Sequence, residues 1–400
     1  MTPRRFDVAQ RRARLGVRHH LAPGARAPHA EDVAAGVVAI HSTDPSSVVV
    51  GTWARLADRT ATAAELERAL YEERTLLRLL AMRRTMFVVD RAVAPIVHAA
   101  CSLTVAARER AKLLKLLEEA GIGGRRRAAW LAKAEAALLE ALASGDELTA
   151  VQLADADARL GTEIVLAPGR AYEARVRVAS RVLTVLAAEG RVVRTRPRGG
   201  WASTQFRWAA LPAWAGAPLE ELEPARADAA LALRWLCAYG PASPEDLQWW
   251  TGWPAARTRR ALDQDAVTAC TLEDGAPGVV AADDLDDVDA DPWVALLPAL
   301  DATPMGWKRR GFYLGEHAER VFDANGNVGP TVWCDGRIVG GWARPPGSGE
   351  LAFTLLEDVG AEARAAIAAE AAALAPRLGD ARLAPRARGY SPVERELLGR

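Results

Sequence analysis

Arg175-Val-Arg-Val-Ala-Ser-Arg-Val-Leu-Thr-Val-Leu-Ala-Ala-Glu-Gly190-Arg-Val-Val-Arg-Thr-Arg-Pro-Arg-Gly-Gly200-Trp-Ala-Ser-Thr-Gln-Phe-Arg-Trp208 is the stretch whose pattern decides the fold class. Its first part, Arg175–Glu189, repeats apolar residues at helical spacing, and Gly190 stands where a left-handed helix cap is wanted. Val192-Val-Arg-Thr-Arg then alternates as a strand, Pro197-Arg-Gly-Gly turns, and Trp201–Trp208 returns as a second strand. Upstream, Asp146-Glu-Leu-Thr-Ala-Val-Gln-Leu-Ala reads as a short helix. Helix, helix, strand, basic turn, strand is the winged-helix order. The Arg194, Arg196 and Arg198 cluster at the hairpin is placed to meet phosphates.

Working outward, the scheme repeats downstream over about 222–290. Asp228–Tyr239 is a helix closed by Gly240-Pro241, Ser243-Pro-Glu-Asp caps a helix with Trp249 and Trp250, and Pro254–Gln264 carries Arg257, Arg259 and Arg260. Thr268–Leu272 and Gly278–Ala281 frame the turn Glu273-Asp-Gly. This hairpin is acidic, is followed by Asp283-Asp-Leu-Asp-Asp, and makes a poor DNA reader. Upstream, a basic N-terminal segment precedes a helix from near Glu31 to Ser42 or Thr43, ended by Pro45. A helix from Ser46 towards Leu56, an amphipathic helix Glu65–Leu80, a short strand Thr85–Val89 and two more helices complete that region. Beyond Trp293 the pattern turns to strands, with Asp335-Gly as a hairpin turn, then a helix Ala361–Leu374 and an Arg-rich tail from Pro376. The expectation is an α+β chain of three tandem winged-helix domains (1–120, 121–215 and 216–292), followed by a small antiparallel β-barrel, a helix and a tail (293–400).

The net charge is zero, but it is segregated: residues 1–214 hold 33 basic against 22 acidic residues, a net of +11, which leaves −11 for the remainder. An N-terminal surface for a polyanion is one explanation, and plain arginine abundance in an alanine-rich chain is the other. Apolar runs such as Gly36–Ile40 and Val48–Val50 are far short of a membrane span, and no apolar core follows the basic N-terminus, so a soluble cytoplasmic protein is expected. Cys101, Cys237, Cys270 and Cys334 lack metal-ligand or redox spacing and read as reduced, mostly buried small hydrophobes. The six histidines, His19, His20, His29, His41, His98 and His317, form no metal-binding pattern, so no metal or organic cofactor is expected. A Gly-x-Ser-x-Gly elbow is absent, and Gly121-Ile-Gly-Gly follows no strand as a phosphate loop must.

Several segments together resemble the AlkZ/YcaQ-type winged-helix family of bacterial DNA glycosylases: Arg14-Leu-Gly-Val-Arg-His, Trp53-Ala-Arg-Leu, Leu80-Ala-Met-Arg-Arg-Thr-Met, Asp301-Ala-Thr-Pro-Met-Gly-Trp-Lys and Gly329-Pro-Thr-Val-Trp-Cys-Asp-Gly-Arg-Ile-Val-Gly-Gly-Trp. The last two are the most specific. The resemblance implies a clamp of three winged helices with a small barrel, acting on damaged double-stranded DNA. Its members excise alkylated purines, chiefly guanine modified at N7, and some unhook crosslinks as self-resistance to genotoxic natural products. The family's catalytic Gln-x-Gln or Gln-x-Asp falls on His41-Ser-Thr43-Asp44-Pro45, so both catalytic side chains differ from the common pattern.

An N7-alkylguanine is already cationic, so its excision needs a positioned water and stabilisation of a sugar cation rather than a strong acid. His41 offers an acceptor and a donor, the Thr43 hydroxyl can do both, and Asp44 adds negative charge. In a regular helix, residues two apart point about 200° from each other, so His41 and Thr43 converge only where the helix unwinds. The plainer alternative makes His41 an interhelical polar residue and Thr43 or Asp44 a cap for the next helix. For DNA contact, resemblance and charge together indicate Arg83, Arg84, Arg125, Arg126, Arg127, Arg196, Arg198, Lys308, Arg309 and Arg310. Trp201 and Trp307 are candidate base wedges or buried aromatics. Two functions stay open: a monomeric, monofunctional glycosylase of alkylated or bulky purines, and a catalytically silent winged-helix DNA-binding protein or regulator.

Overall fold

In the computed structural model, which describes residues 3–170, 173–381, 383 and 389–400, the decisive stretch folds as a strand Ala174–Arg177, a helix Val178–Ala188 and an antiparallel pair Val192–Pro197 and Phe206–Ala210. Gly190 closes the helix at φ 68°, the left-handed turn a Cβ would strain. Leu148–Thr149 adds a third strand beside Phe206–Ala210. The helix buries Val178, Ala179, Val182, Leu183, Val185, Leu186, Ala187 and Ala188, leaving Ser180, Arg181 and Thr184 half-buried. A helix that is apolar on nearly every side belongs in a core. Around it pack Leu103–Glu119, Arg127–Ala141, Ala150–Asp155 and Ala158–Gly161. These elements belong to one of two units, made of Leu77–Met86 and Arg91–Ala227; the other comprises Met1–Leu76, Phe87–Asp90 and Asp228–Arg400.

Two helix expectations are corrected. The expected helix from Glu31 to Ser42 or Thr43 is only Ala30–Gly36, and Ile40–His41 is a strand whose partners are Val88 and Phe87. Val37-Val-Ala-Ile is rich in β-branched side chains, which favour an extended chain, and Val38 turns it at φ 62°. The expected helix Glu65–Leu80 stops at Glu72, and Leu76–Leu80 is a strand buried at every position. Thr75 marks the break, its hydroxyl donating to Glu31 Oε1 (2.6 Å) and to the carbonyl of Ala69 (3.3 Å). Helix and buried strand are indistinguishable in a short leucine run. Pro45–Trp53 is helical as expected and buried throughout.

The downstream repeat appears as helices Pro224–Tyr239, Pro244–Thr251 and Ala255–Leu262 and the hairpin Val267–Thr271 and Pro277–Ala281. Arg4–Arg5 joins that hairpin as a parallel third strand, with Phe6 in a small core beside Cys270, Leu272 and Val280. The acidic hairpin and the stretch after it hold the basic N-terminus. Arg4 pairs with Asp287 (2.5 Å), Arg11 with both oxygens of Glu273 (2.8 and 2.9 Å), and Arg18 and Arg14 with Asp284. Part of the charge segregation is therefore neutralised inside the fold.

Beyond Trp293 the expected barrel is an open four-stranded antiparallel sheet, ordered Val294–Leu297, Thr331–Cys334, Arg337–Ala343, Ala352–Leu355. Its outer strands do not pair with each other. The helix Gly360–Arg377 packs on the first strand, and Pro392–Leu397, capped by Ser391, packs on the third and fourth. Covered in this way, the sheet has no need to close. Part of the Arg-rich tail (residues 382 and 384–388) lies outside the described residues. Cys101, Cys270 and Cys334 are buried and Cys237 is exposed, all as free thiols. Among the described residues, no helix is long and apolar enough to cross a membrane.

Candidate active site and nucleic-acid interface

The His41–Asp44 segment is a strand end running into a helix start. His41 is buried, and its ring meets the Phe87 ring edge-on at 5.5 Å. The backbone is extended at Ile40–His41 and bends at Thr43 and Asp44, so the 200° separation of a helix does not apply to His41 and Thr43. Ser42 is buried and Thr43 half-buried. Asp44 is the N-cap of Pro45–Trp53: its Oδ1 accepts from the Ser46 amide (3.0 Å) and the Ser46 hydroxyl (2.7 Å). The capping role weighed for Asp44 is thus present, and it fixes the direction in which the preceding residues enter the helix.

The candidate DNA-binding arginines divide between the units. Arg83 and Arg84 form the exposed turn after Leu76–Leu80, with φ 52° and 63°. Two successive side-chain-bearing residues in the left-handed region are strained, and such strain persists where neighbours over-determine it. Here Arg84 is tied to Glu109 (2.7 Å), and the turn is closed by Ala81 N–H to the Thr85 carbonyl (2.8 Å). Arg125 and Arg126 are exposed on the turn Gly124–Arg126, and Arg127 begins the next helix, paired with Glu118. Arg198 is exposed at the hairpin tip, and Arg196 is half-buried.

In the unit that holds His41, Lys308 and Arg309 are exposed on a loop that Asp246 organises, its Oδ1 accepting both their amides (2.9 and 2.7 Å). Arg309 also pairs with Asp274, and Arg310 lies over Trp249 (4.9 Å) and Phe322 (4.6 Å). Of the two readings weighed for Trp307, the structure shows the buried aromatic: it donates Nε1–H to the Tyr239 carbonyl (3.0 Å) and stacks on His19 at 5.8 Å. Trp201 is half-buried in the hairpin loop.

The motifs that carry the resemblance are mostly structural joints. Asp301 holds Arg55, Thr303 bridges Arg55 and His19, and a Cβ on Gly306 would lie 2.3 Å from the Tyr239 ring. A Cβ on Gly340 would lie 2.1 Å from the Thr354 carbonyl oxygen of the adjoining strand. The sequence reading missed Arg78, which lies over Phe206 at 5.0 Å; the leucines around it signalled helix. No group of three or more His, Cys, Asp or Glu among the described residues is arranged to hold a metal ion.

The solved structure of Streptomyces sahachiroi DNA glycosylase AlkZ shares this fold, with a TM-score of 0.72 and 22% identity over 96% of this chain and 99% of that one. No curated protein matches the sequence. The family model described as DNA glycosylase AlkZ-like matches residues 34–377, a span that takes in the His41–Asp44 segment, the basic hairpin and the Asp301 motif. The chain belongs to the AlkZ-like DNA glycosylase family.

Proposed function

We propose that this protein is a monofunctional DNA glycosylase that removes N7-alkylated or bulky adducted purines from duplex DNA, with a role in genotoxin self-resistance. The observation that supports it is the segment His41–Asp44, in which the strand Ile40–His41 bends into a helix capped by Asp44, at the place where the resemblance puts the family's catalytic pair. In this reading, His41 and Thr43 hold a water beneath C1′, and Asp44 offsets the positive charge of the sugar. The electron pair of the C1′–N9 bond leaves with the cationic purine and neutralises it. The water oxygen then bonds to C1′, and its proton passes to a neutral His41 imidazole and on to solvent. No resident metal or organic cofactor takes part.

In this reading three winged helices, at 1–120, 121–215 and 216–292, make up the DNA-binding part, and Arg83, Arg84, Arg125–Arg127, Arg196, Arg198 and Lys308–Arg310 supply phosphate contacts. Such contacts bring salt-sensitive affinity without sequence readout. Reading bases in a major groove needs an exposed recognition helix, and the helix before the basic hairpin has almost no exposed face. That favours damage-directed action over an operator-reading regulator. The protein works as a monomer in the cytoplasm, on the nucleoid.

A second reading, a silent DNA-binding protein, is favoured by one observation: His41 and Thr43 replace both glutamines of the common pattern. Single-turnover release of 7-methylguanine from duplex DNA separates the two. Release that falls at least a hundredfold in His41→Ala or Thr43→Ala, with folding and DNA binding intact, supports the enzyme. Tight binding without release, on 7-methylguanine and on a bulkier N7 adduct, supports the silent protein.

A further inference from the structure

Just before the strand that carries His41, the chain makes a turn that its own side chain resists. Val38 stands at φ 62°, in the left-handed region, and the Ala39 amide donates back to the Val37 carbonyl at 2.6 Å. A β-branched residue is an outlier there, and a bond closed over three residues around a positive φ is the rare, strained form of γ-turn. Val37 and Val38 are both buried. Strain of this kind persists only where the surroundings impose it.

Part of that constraint comes from far along the sequence. The Tyr239 hydroxyl donates to the same Val37 carbonyl at 3.0 Å, across 202 residues. Val37, His41, its strand partner Phe87 and Tyr239 all belong to one unit. Tyr239 ends the helix Pro224–Tyr239 and is 1% exposed. Its ring stacks on Trp235 at 5.6 Å and meets Trp307 at 5.0 Å and His19 at 4.8 Å edge-on. It also passes so close to Gly306 that a Cβ there would lie 2.3 Å away. A ring packed in this way has one place to be, and so has its oxygen. Burial pushes the phenol well above its usual range, so the oxygen keeps its proton and remains a donor. None of the ring contacts requires that hydroxyl; its recorded bond is the one to Val37.

We propose that Tyr239 is a positioning residue for base excision: its buried hydroxyl holds the Val37 carbonyl and, through the strained turn at Val38, fixes the direction in which His41 is presented. Tyr239 lies too deep to meet a substrate and acts through His41. The assignment rests on the role proposed above for His41, and the following experiment tests the two apart.

Single-turnover release of 7-methylguanine at saturating protein, duplex affinity, Tm and the NMR signals of the isotope-labelled imidazoles are measured for the full chain and for Tyr239→Phe, His41→Ala and the double variant. Phenylalanine keeps the ring contacts, and the Val37 carbonyl keeps its bond from Ala39, so the fold holds. The expected result for Tyr239→Phe is release about tenfold slower, unchanged duplex affinity and a displaced His41 signal, which the Phe87 ring at 5.5 Å makes sensitive to position. In the His41→Ala background the same change slows release no further, because the residue through which it acts is gone. An unmoved His41 signal overturns the assignment, as does an equal loss of rate in both backgrounds. So does a lowered Tm with the His98 and His317 signals displaced as well, which is the mark of general loosening. A wild-type chain that releases no base overturns the proposed function, and the His41 signal then decides by itself whether Tyr239 sets that residue.

Discussion

Arg55 closes a two-bond fork on Asp301 across 246 residues of sequence, Nη1 donating to Oδ2 at 2.9 Å and Nη2 to Oδ1 at 2.6 Å, with both side chains 2% exposed. Arg55 also donates to the Gly51 carbonyl (2.7 Å) and to Thr303 Oγ1 (2.8 Å), so each terminal nitrogen makes two bonds while the buried Nε makes none. Removing one partner leaves the other charged and dry. Asp301→Ala is expected to cost about 3–5 kcal/mol, whereas the double change Arg55→Met with Asp301→Leu recovers most of the loss. Urea midpoints of the two single variants and the double variant form the cycle that checks it. A double variant no more stable than its parts would show that the pair is not the source of the cost.

The same network sets a pH dependence. His19 is fully buried, and desolvation, with Arg55 nearby, holds its imidazole well below the usual value of 6.5. It is therefore neutral in the fold, which fixes its bonds: Nε2–H donates to the Ala238 carbonyl (3.2 Å) and Nδ1 accepts from the Thr303 hydroxyl (2.8 Å). Below pH 6.5 the unfolded chain binds a proton that the folded chain refuses. Stability is therefore complete above that value and falls as pH drops towards the lowered folded value, by up to about 1.4 kcal/mol per pH unit. Chemical unfolding between pH 7.5 and 5 should show this fall in the wild type and a shallower one in His19→Gln.

These residues also mark what was legible beforehand. The stretch 178–208 carried its own periods and its own turn, so a helix and a hairpin could be read there, whereas Arg175–Arg177, expected as helix, is a strand because it pairs with Glu163–Val165, and the second hairpin strand begins at Phe206 rather than Trp201. The strand Ile40–His41 could not be read, because what makes it a strand is Phe87-Val88, more than forty residues away. The charge pattern misled in a similar way. Arg4, Arg11, Arg14 and Arg18 counted towards a polyanion surface, yet their partners Glu273, Asp284 and Asp287 lie in the other half of the sequence. A sum of charges carries no information about which of them meet. The resemblance motifs were easy to see because buried joints such as Arg55–Asp301 and Gly306 against Tyr239 tolerate few residues, whereas surface arginines tolerate many.

That internal pairing gives a third expectation. Arg11 is 3% exposed at its side chain, reaches both oxygens of Glu273 through Nη1 and lies over the Phe312 ring at 3.7 Å. Arg11→Ala should lower stability by about 2–4 kcal/mol and leave the salt slope of duplex binding unchanged, because the charge it removes is already neutralised. Arg198→Ala should do the reverse, making the slope shallower by about one with little change in stability. An Arg11→Ala variant with a shallower salt slope and normal stability would make the helix Val8–Arg18 a DNA-facing element.

Asp44 allows structure and chemistry to be separated by a single atom. Its Oδ1 caps Pro45–Trp53 through the Ser46 amide and hydroxyl, and an asparagine carbonyl can accept the same two bonds. Asp44→Asn should therefore keep stability within about 0.5 kcal/mol, whereas Asp44→Ala, which loses the cap, should cost about 1–2 kcal/mol. If the Asp44 charge offsets the developing sugar cation, single-turnover base release falls at least tenfold in both variants, although only one of them is destabilised. If Asp44 is a cap and nothing more, Asp44→Asn releases base at the wild-type rate. The comparison needs both readouts, since loss of the cap also frees the direction in which His41 and Thr43 approach the helix. A rate that tracks stability across the two variants would assign the residue to the fold, and a rate that tracks charge would assign it to the reaction.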